Sequence, residues 1–330
     1  MAKNRKLYVA KQAKKNEFYT QLSDIENELR YYQGHFKGKV VYCNCDDPRV
    51  SNFFKYFSLK FEHLGLKKLI TTCYRNQQPD LFSKHDSERA VYLEYEGDQD
   101  GNRRPDHHEI AVKHLNGDGN FSSAECIELL KEADIVVTNP PFSPFRDYVA
   151  QLVKYDKKFL IIGNKNAITY KEIFPLIKEN KIWSGVSRWA GGMLFDVPDD
   201  HAKWLIKTGK EGSNYKFVNG VVKALSPSIW FTNLPHKKRN EELILYKKYS
   251  PEEYPKYDNY DAINVNKTAY IPADYDGVMG VPITFLEKYN PEQFEILGIA
   301  NSARWIGYEC LTIIEGRRIY NRIIIRNKQL

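Results

Sequence analysis

The stretch from Asp134 to Phe142, DIVVTNPPF, joins a short apolar run to a turn whose residue types could do chemistry. Two consecutive prolines stop the strand and remove two backbone donors, so the turn presents hydrogen-bond acceptors. The side-chain oxygen of Asn139, the carbonyl of Pro140 and the ring of Phe142 suit a planar group carrying an NH2, which can donate two hydrogen bonds while its ring is stacked. Asn-Pro also marks ordinary turns, but the flanking elements favour the functional interpretation.

The elements around this turn predict an α/β domain. Strands and helices alternate along the chain, which indicates a mostly parallel sheet. The segments 185–197 and 216–233 are longer strands and predict that the sheet finishes in an antiparallel hairpin. The first predicted strand runs into an acidic turn over 39–48, and the others cover 66–73, 90–94, 135–137 and 158–163. The predicted helices cover 124–132, capped by a serine, and 145–154.

Two further helices are predicted near the amino terminus. Ser23 could cap a helix that runs to about Tyr32, with Glu26 completing a capping box. The helix beginning near Val50 carries phenylalanines at three-to-four spacing, which favours core packing over a binding stripe. These are Phe53, Phe54 and Phe57.

Composition limits the class of protein. A chain of 330 residues with 42% hydrophobic residues can form one large domain and one smaller domain. No run approaches the roughly 18 consecutive apolar residues that span a bilayer, and Met1–Lys15 is basic and polar, without the apolar core of a secretory signal. We therefore expect a soluble, cytoplasmic protein.

The five cysteines are odd in number and lack the paired spacing of a zinc site. Cys43 and Cys45 would share one face of a strand, which favours a pair of small buried thiols. We therefore expect neither a disulfide nor a structural metal. The cysteines are Cys43, Cys45, Cys73, Cys126 and Cys310.

The net charge of +7 is concentrated at the two ends of the chain: residues 1–40 and 201–330 each have a balance of +5, whereas 41–200 has −3. Basic residues are interleaved with aromatic residues after Asn233, an arrangement that suits nucleic-acid contact. The segment 317–326 alternates basic and apolar residues like a half-buried strand. Candidate DNA contacts are His236, Lys237, Lys238 and Arg239, although a solvated loop is at least as probable for any one of them.

The sequence resembles the S-adenosylmethionine-dependent adenine-N6 DNA methyltransferases, and in particular the EcoRI-type modification enzymes. Asn139-Pro140-Pro141-Phe142 is a variant of the Asp/Asn-Pro-Pro-aromatic signature of amino-methylating enzymes. Three further motifs carry the narrower resemblance: NEFYTQ at 16–21, CNCDDP at 43–48 and GVPITF at 280–285.

The resemblance implies a Rossmann-like sheet of seven strands, mostly parallel with an antiparallel hairpin, and a cofactor at the carboxyl ends of the strands. An amino-terminal motif would close over the methionine part of the cofactor, and a loop after the first core strand would approach it, although this loop has no glycine. An Asp with a neighbouring aromatic ring would bind the adenine. The implied residues are Phe18, Tyr19 and Thr20 in the amino-terminal motif, Cys43, Asn44, Asp46 and Asp47 in the loop after the first core strand, and Asp118 and Phe121 beside the adenine.

The resemblance also implies the chemistry. The target adenine must be flipped out of the duplex, at a cost of a few kcal/mol. Asn139 and the Pro140 carbonyl would accept the two N6 hydrogens, Pro141 would keep the turn rigid, and Phe142 would stack on the base. Residues 1–233 would form the catalytic domain with a basic arm, and 234–330 a target-recognition region.

The implied substrate is double-stranded DNA, and GAATTC is the first oligonucleotide to test. We expect a monomer, because one transfer modifies one strand at a time, and a restriction endonuclease could be encoded alongside without forming a stable complex. Two alternatives stay open: an adenine-N6 methyltransferase that acts on RNA, and a catalytically silent DNA-binding protein with the same fold. A protein-glutamine methyltransferase is disfavoured by Phe142, where Tyr would be more usual, and by the basic carboxyl-terminal region.

Overall fold

The computed structural model describes residues 19–45, 51–72, 90–102, 105–106, 108–300 and 312–330, with the backbone alone at 307–308. The chain divides into two compact units. The first comprises residues 1–165 and 190–234, and the second comprises 166–189 and 235–330.

The first unit contains most of a large mixed sheet. Seven of the strands of this sheet lie within the unit. They are β2 (Val40–Asn44), β3 (Lys68–Thr72), β4 (Val91–Tyr95), β5 (Ile110–His114), β6 (Ile135–Thr138), β7 (Lys158–Asn164) and β12 (Ser228–Thr232). Their order in the sheet is β5-β4-β3-β2-β6-β7-β12. The pairs β2–β3, β2–β6 and β6–β7 are parallel, and the outer pairs β3–β4, β4–β5 and β7–β12 are antiparallel.

The prediction of an α/β fold with a large sheet is confirmed. The sheet is more mixed than expected, because its parallel strands are confined to the centre. Those central strands are buried on both faces, which explains their nearly continuous apolar sequences. No strand was predicted at β5, whose residues are mostly exposed.

The predicted closing hairpin is wrong in its position. Only β12 joins the large sheet, where Trp230 pairs with Ile162 of β7. The other segments form a separate four-stranded sheet in the order β1-β9-β11-β10. Its strands are β1 (Tyr19–Thr20), β9 (Met193–Asp196), β10 (Tyr215–Val218) and β11 (Val221–Ser226).

Helices flank these strands in the first unit. Predicted helices are confirmed at 124–132 and 145–154, and Ser123 caps the former by accepting a hydrogen bond from Cys126 N. The predicted Ser23 cap is wrong, because the helix begins at Leu22 and Ser23 lies inside its first turn. The helices are α1 (Leu22–Leu29), α2 (Asn52–Leu59), α3 (Phe61–Leu64), α4 (Ala124–Glu132), α5 (Phe145–Lys154) and α7 (Asp199–Thr208).

Aromatic side chains fill much of the core of this unit. Phe53 and Phe57 of α2 are fully buried, as their spacing predicted, whereas Phe54 is half-buried. The Phe53 ring meets Trp230 of β12 edge to face at 6.1 Å. The core therefore fixes α2 against the large sheet.

The second unit is built around a five-stranded sheet in the order β13-β14-β19-β15-β16. It also contains α6 (Phe174–Lys178), β8 (Trp183–Ser184) and a separate two-stranded ribbon of β17 and β18. The predicted half-buried strand over 317–326 divides into β18 and β19, and β19 is almost entirely buried. The remaining strands are β13 (Ile263–Asn264), β14 (Met279–Pro282), β15 (Phe294–Ala300), β16 (Gly307–Tyr308), β17 (Ile313–Ile314), β18 (Arg317–Arg318) and β19 (Arg322–Asn327).

Across the described ranges, the helices are all too short or too polar to cross a membrane.

Candidate active site

The Asn-Pro-Pro-Phe turn lies at the carboxyl end of β6. Thr138, the last residue of the strand, is fully buried, and Asn139 directly after it is 8% exposed. Pro140 is buried, Pro141 is exposed and Phe142 is half-buried, so the turn leads from the core to the surface. Helix α5 begins three residues later. The turn is therefore held between two rigid elements, as a site that positions a substrate requires.

The end of β2 lies beside this turn. β2 and β6 are parallel neighbours, so their carboxyl ends meet at the same edge of the sheet. The hydroxyl of Thr138 donates a hydrogen bond to the carbonyl of Asn44, and the hydroxyl of Tyr148 on α5 donates to Asn44 Oδ1. Asn44 thus joins the first core strand to the elements before and after the turn.

Tyr148 donates this hydrogen bond as a neutral phenol, the usual form of tyrosine at physiological pH. Its side chain is buried, and burial raises the pKa of the Tyr148 phenol well above its usual value. A protonated phenol can donate to the amide oxygen of Asn44 at any physiological pH. Neither Tyr148 nor Thr138 was predicted from the sequence as part of the site.

The predicted adenine-binding loop lies against the same helix. Asp118 is half-buried, and its Oδ1 accepts a hydrogen bond from the backbone of Asn120 at 3.0 Å. The Phe121 ring meets the Tyr148 ring edge to face at 5.1 Å, and Gln151 Nε2 donates to the Phe121 carbonyl at 2.9 Å. Helix α5 therefore brings Phe121, Asn44 and the Asn-Pro-Pro-Phe turn together.

The amino-terminal motif is anchored in the small sheet. Tyr19 and Thr20 pair with Asp196 and Phe195 of β9. Asn52, at the start of α2, donates from Nδ2 to the Thr20 carbonyl at 2.8 Å. Thr20 is 1% exposed, and its buried hydroxyl has no hydrogen-bond partner among the residues that the structure describes. Phe18, Asp46 and Asp47 lie outside the described residues.

Cys45, the first residue after β2, has an unusual backbone conformation. Cys45 adopts a φ of 82°, in the left-handed region that usually favours glycine. Its amide donates to the Thr72 carbonyl at 3.1 Å and holds this conformation. The prediction of two buried thiols is wrong for Cys45, which is half-buried, whereas Cys43 is fully buried.

The predicted DNA contacts lie in the second unit, where three of the four make structural interactions. His236 Nε2 lies 3.0 Å from the Ser184 carbonyl, and Lys238 Nζ donates to the Val186 carbonyl at 2.9 Å. Arg239 stacks over the Trp183 ring at 4.1 Å, donates to Asn180 Oδ1 at 2.8 Å, and has its pKa lowered by burial. Lys237 is exposed.

One acidic cluster lies away from the turn. Within the described ranges, carboxylate oxygens of Asp98, Asp100 and Glu109 lie within 4.8 Å of one another. Exposed acidic groups commonly gather in this way without a metal, and the expectation of no structural metal stays a prediction.

Comparisons with known proteins identify the family of the chain. A family model described as adenine-specific methyltransferase EcoRI matches residues 6–328. The chain is 51% identical to the type II methyltransferase M.EcoRI of Escherichia coli, covering 100% of this chain and 98% of the relative. It is 38% identical to M.MgeORF184P of Mycoplasma genitalium, over 97% of this chain and 98% of the relative, and 38% identical to M.MpnI of Mycoplasma pneumoniae, over 97% of each. No solved structure gives a significant match.

Proposed function

Because the chain belongs to the family of EcoRI-type adenine-specific methyltransferases, we propose that it methylates the N6 atom of adenine at a specific site in duplex DNA, as the modification enzyme of a restriction-modification system. One structural observation supports this proposal most strongly. The Asn-Pro-Pro-Phe turn follows β6 at the edge of the sheet where Asn44 of β2 ends, and a buried hydrogen-bond network joins the two.

S-adenosylmethionine supplies the methyl group as a carbon already activated by a sulfonium. The residues near the ends of β2 and β6 fit this cofactor. The buried hydroxyl of Thr20 has no partner among the described residues and could accept or donate one hydrogen bond. The half-buried carboxylate of Asp118 suits an adenine amino group, and Phe121 places a ring beside it. We assign cofactor binding to Tyr19, Thr20, Cys43, Asn44, Asp118 and Phe121, and on sequence alone to Phe18, Asp46 and Asp47.

The catalytic turn would act on the flipped adenine. The N6 lone pair is delocalised into the ring, so the amino group is a weak nucleophile. Asn139 Oδ1 and the Pro140 carbonyl would each accept a hydrogen bond from the N6 amino group and localise its lone pair, while Phe142 stacks on the base. Pro141 keeps the two acceptors at a fixed separation. Positioning and preorganised dipoles, without a covalent enzyme intermediate, account for the acceleration.

The finer features of the molecule are part of the same proposal. The core would have the seven-stranded Rossmann-like topology of methyltransferases, residues 1–233 would be catalytic, and residues 234–330 would recognise the target. The protein would act as a cytoplasmic monomer, and a cognate endonuclease encoded alongside would form no stable complex with it.

Methylation of a diverse DNA pool, followed by sequencing that detects N6-methyladenine, tests activity and recognition site together. We expect one short modified sequence, with a GAATTC duplex as the first defined substrate. Structured RNA and single-stranded DNA serve as comparison substrates. Preferential methylation of RNA would support the RNA alternative, and failure to bind S-adenosylmethionine by calorimetry would support the catalytically silent one.

Tyr148→Phe tests the link between the cofactor side and the catalytic turn. The substitution leaves Asn44 Oδ1 buried without its donor, which costs about 1–3 kcal/mol. Because Asn44 is released, we expect the KM for S-adenosylmethionine to rise several-fold while kcat changes less. Steady-state kinetics at saturating DNA measure both constants. The matched control is Tyr155→Phe. Tyr155 lies directly after α5, and its side chain is half-buried. An equal effect of the two substitutions would contradict the positioning role of Tyr148.

A further inference from the structure

The second unit contains a two-stranded ribbon that belongs to none of the three larger sheets. β17 and β18 pair antiparallel, with Ile313 opposite Arg318 and Ile314 opposite Arg317. Glu315 and Gly316 connect them with φ values of 51° and 71°. Two consecutive positive φ values are the signature of the tight hairpin turn that matches strand twist. We call residues 312–320 the ribbon.

Hydrogen bonds hold the ribbon at both ends. At the turn, the Asp258 carboxylate accepts from the backbone of Glu315 at 3.1 Å and of Gly316 at 2.7 Å. At the base, the Thr312 hydroxyl donates to the carbonyls of Ile319 and Tyr320 at 3.2 and 3.0 Å. The ribbon is therefore a fixed element of the second unit.

The guanidinium groups of the two arginines of the ribbon are not engaged in structural contacts with the described part of the chain. Arg317 and Arg318 are exposed, and neither makes an ion pair or a side-chain hydrogen bond with a described residue. Tyr320 follows them with 87% of its surface exposed. The nearby carboxylates, Asp258 and Glu315, lie at the turn, and Asp258 is already occupied by two amides.

In the basic segment 236–239, unlike in the ribbon, most of the basic side chains make contacts within the second unit. His236, Lys238 and Arg239 make contacts within the second unit, and Lys238 Nζ also lies 3.8 Å from a Glu287 carboxylate oxygen. Lys237 is the one residue of the four that is exposed. Free positive charge and an exposed ring therefore coincide at the ribbon.

We propose that the ribbon is a DNA-contacting element of the second unit, with Arg317 and Arg318 binding phosphates. Adjacent residues of a strand point to opposite faces, so the two guanidinium groups leave the ribbon on opposite sides. The major groove of B-DNA admits a two-stranded ribbon and has phosphates along both walls. Guanidinium groups suit phosphates because they donate paired hydrogen bonds. This inference rests on the proposed function, since it assumes that duplex DNA is the substrate.

The test compares two double variants that remove the same charge. One is Arg317→Ala with Arg318→Ala. The control is Lys171→Ala with Lys181→Ala, which removes two exposed cations of the same unit that lie outside the proposed target-recognition region. Fluorescence anisotropy with a GAATTC duplex between 50 and 200 mM salt gives the affinity and its salt dependence. Calorimetry with S-adenosylmethionine checks that each protein is folded.

We expect the ribbon variant to lose about tenfold or more in affinity at 100 mM salt and to reduce the slope of log K against log salt by about 2, since each phosphate contact contributes about 0.9. The control should keep the wild-type slope and affinity within about twofold. A wild-type slope in the ribbon variant, or a loss in the control alone, would overturn the inference while leaving the methyltransferase proposal intact. Failure of the wild-type protein both to bind and to methylate duplex DNA would overturn the proposed function.

Discussion

Asn139→Ala is expected to reduce methyl transfer by about 100- to 1,000-fold or more, because in the proposed mechanism Asn139 Oδ1 is a preorganised acceptor of a hydrogen bond from N6 of the flipped adenine. Asn139 is 8% exposed and lies between a buried strand and a proline-fixed turn, so truncation should not open the fold. Labelled S-adenosylmethionine and a GAATTC duplex measure the transfer rate. Calorimetry and anisotropy should show that cofactor and DNA still bind.

Asn139→Asp is the matched control. A carboxylate keeps an acceptor oxygen at the same distance from the backbone, and the family signature allows either residue. We expect the Asp variant to retain much more activity than the Ala variant. If Asn139→Ala transferred methyl groups at the wild-type rate, the assignment of the catalytic turn would be lost.

Trp230→Ala is expected to lower the free energy of unfolding by about 3–5 kcal/mol, the range for removing a large buried aromatic side chain. Trp230 is 2% exposed, pairs with Ile162 across β12 and β7, and packs edge to face on Phe53. Its removal leaves a cavity between the sheet and α2. Urea unfolding followed by circular dichroism measures the change.

Trp204→Ala provides the comparison within the same unit. Trp204 lies on α7 and is 40% exposed, so its truncation should cost less than about 1 kcal/mol. Equal losses for the two tryptophans would contradict the placement of β12 in the core of the sheet.

The parts of the fold that could be predicted are those encoded locally. The apolar run at 135–137 predicted β6, and a serine before residue 124 predicted the start of α4, because burial and capping depend on residues within a short stretch of the chain. β5 escaped prediction because most of its residues are exposed and it carries no apolar run. The hairpin was misplaced because strand composition does not determine which sheet a strand joins.

The proposed site could be inferred from the sequence for a different reason. The Asn-Pro-Pro-Phe turn is contiguous, so its chemistry can be inferred from residue types alone. Tyr148 contacts Asn44 across 104 positions of the chain, and no local pattern indicates that pairing. The same limit applies to Arg239, because no local pattern indicates that its guanidinium stacks on the Trp183 ring.

The most direct test of the central claim is chemical identification of the methylated product. Duplex DNA containing GAATTC is incubated with the full chain and S-adenosylmethionine, digested to nucleosides and analysed by mass spectrometry beside an Asn139→Ala sample. The account predicts N6-methyladenine with the wild-type protein and little or none with the variant. Absence of any methylated nucleoside from wild-type reactions on both this duplex and a diverse DNA pool, or a methylated cytosine in place of adenine, would contradict it.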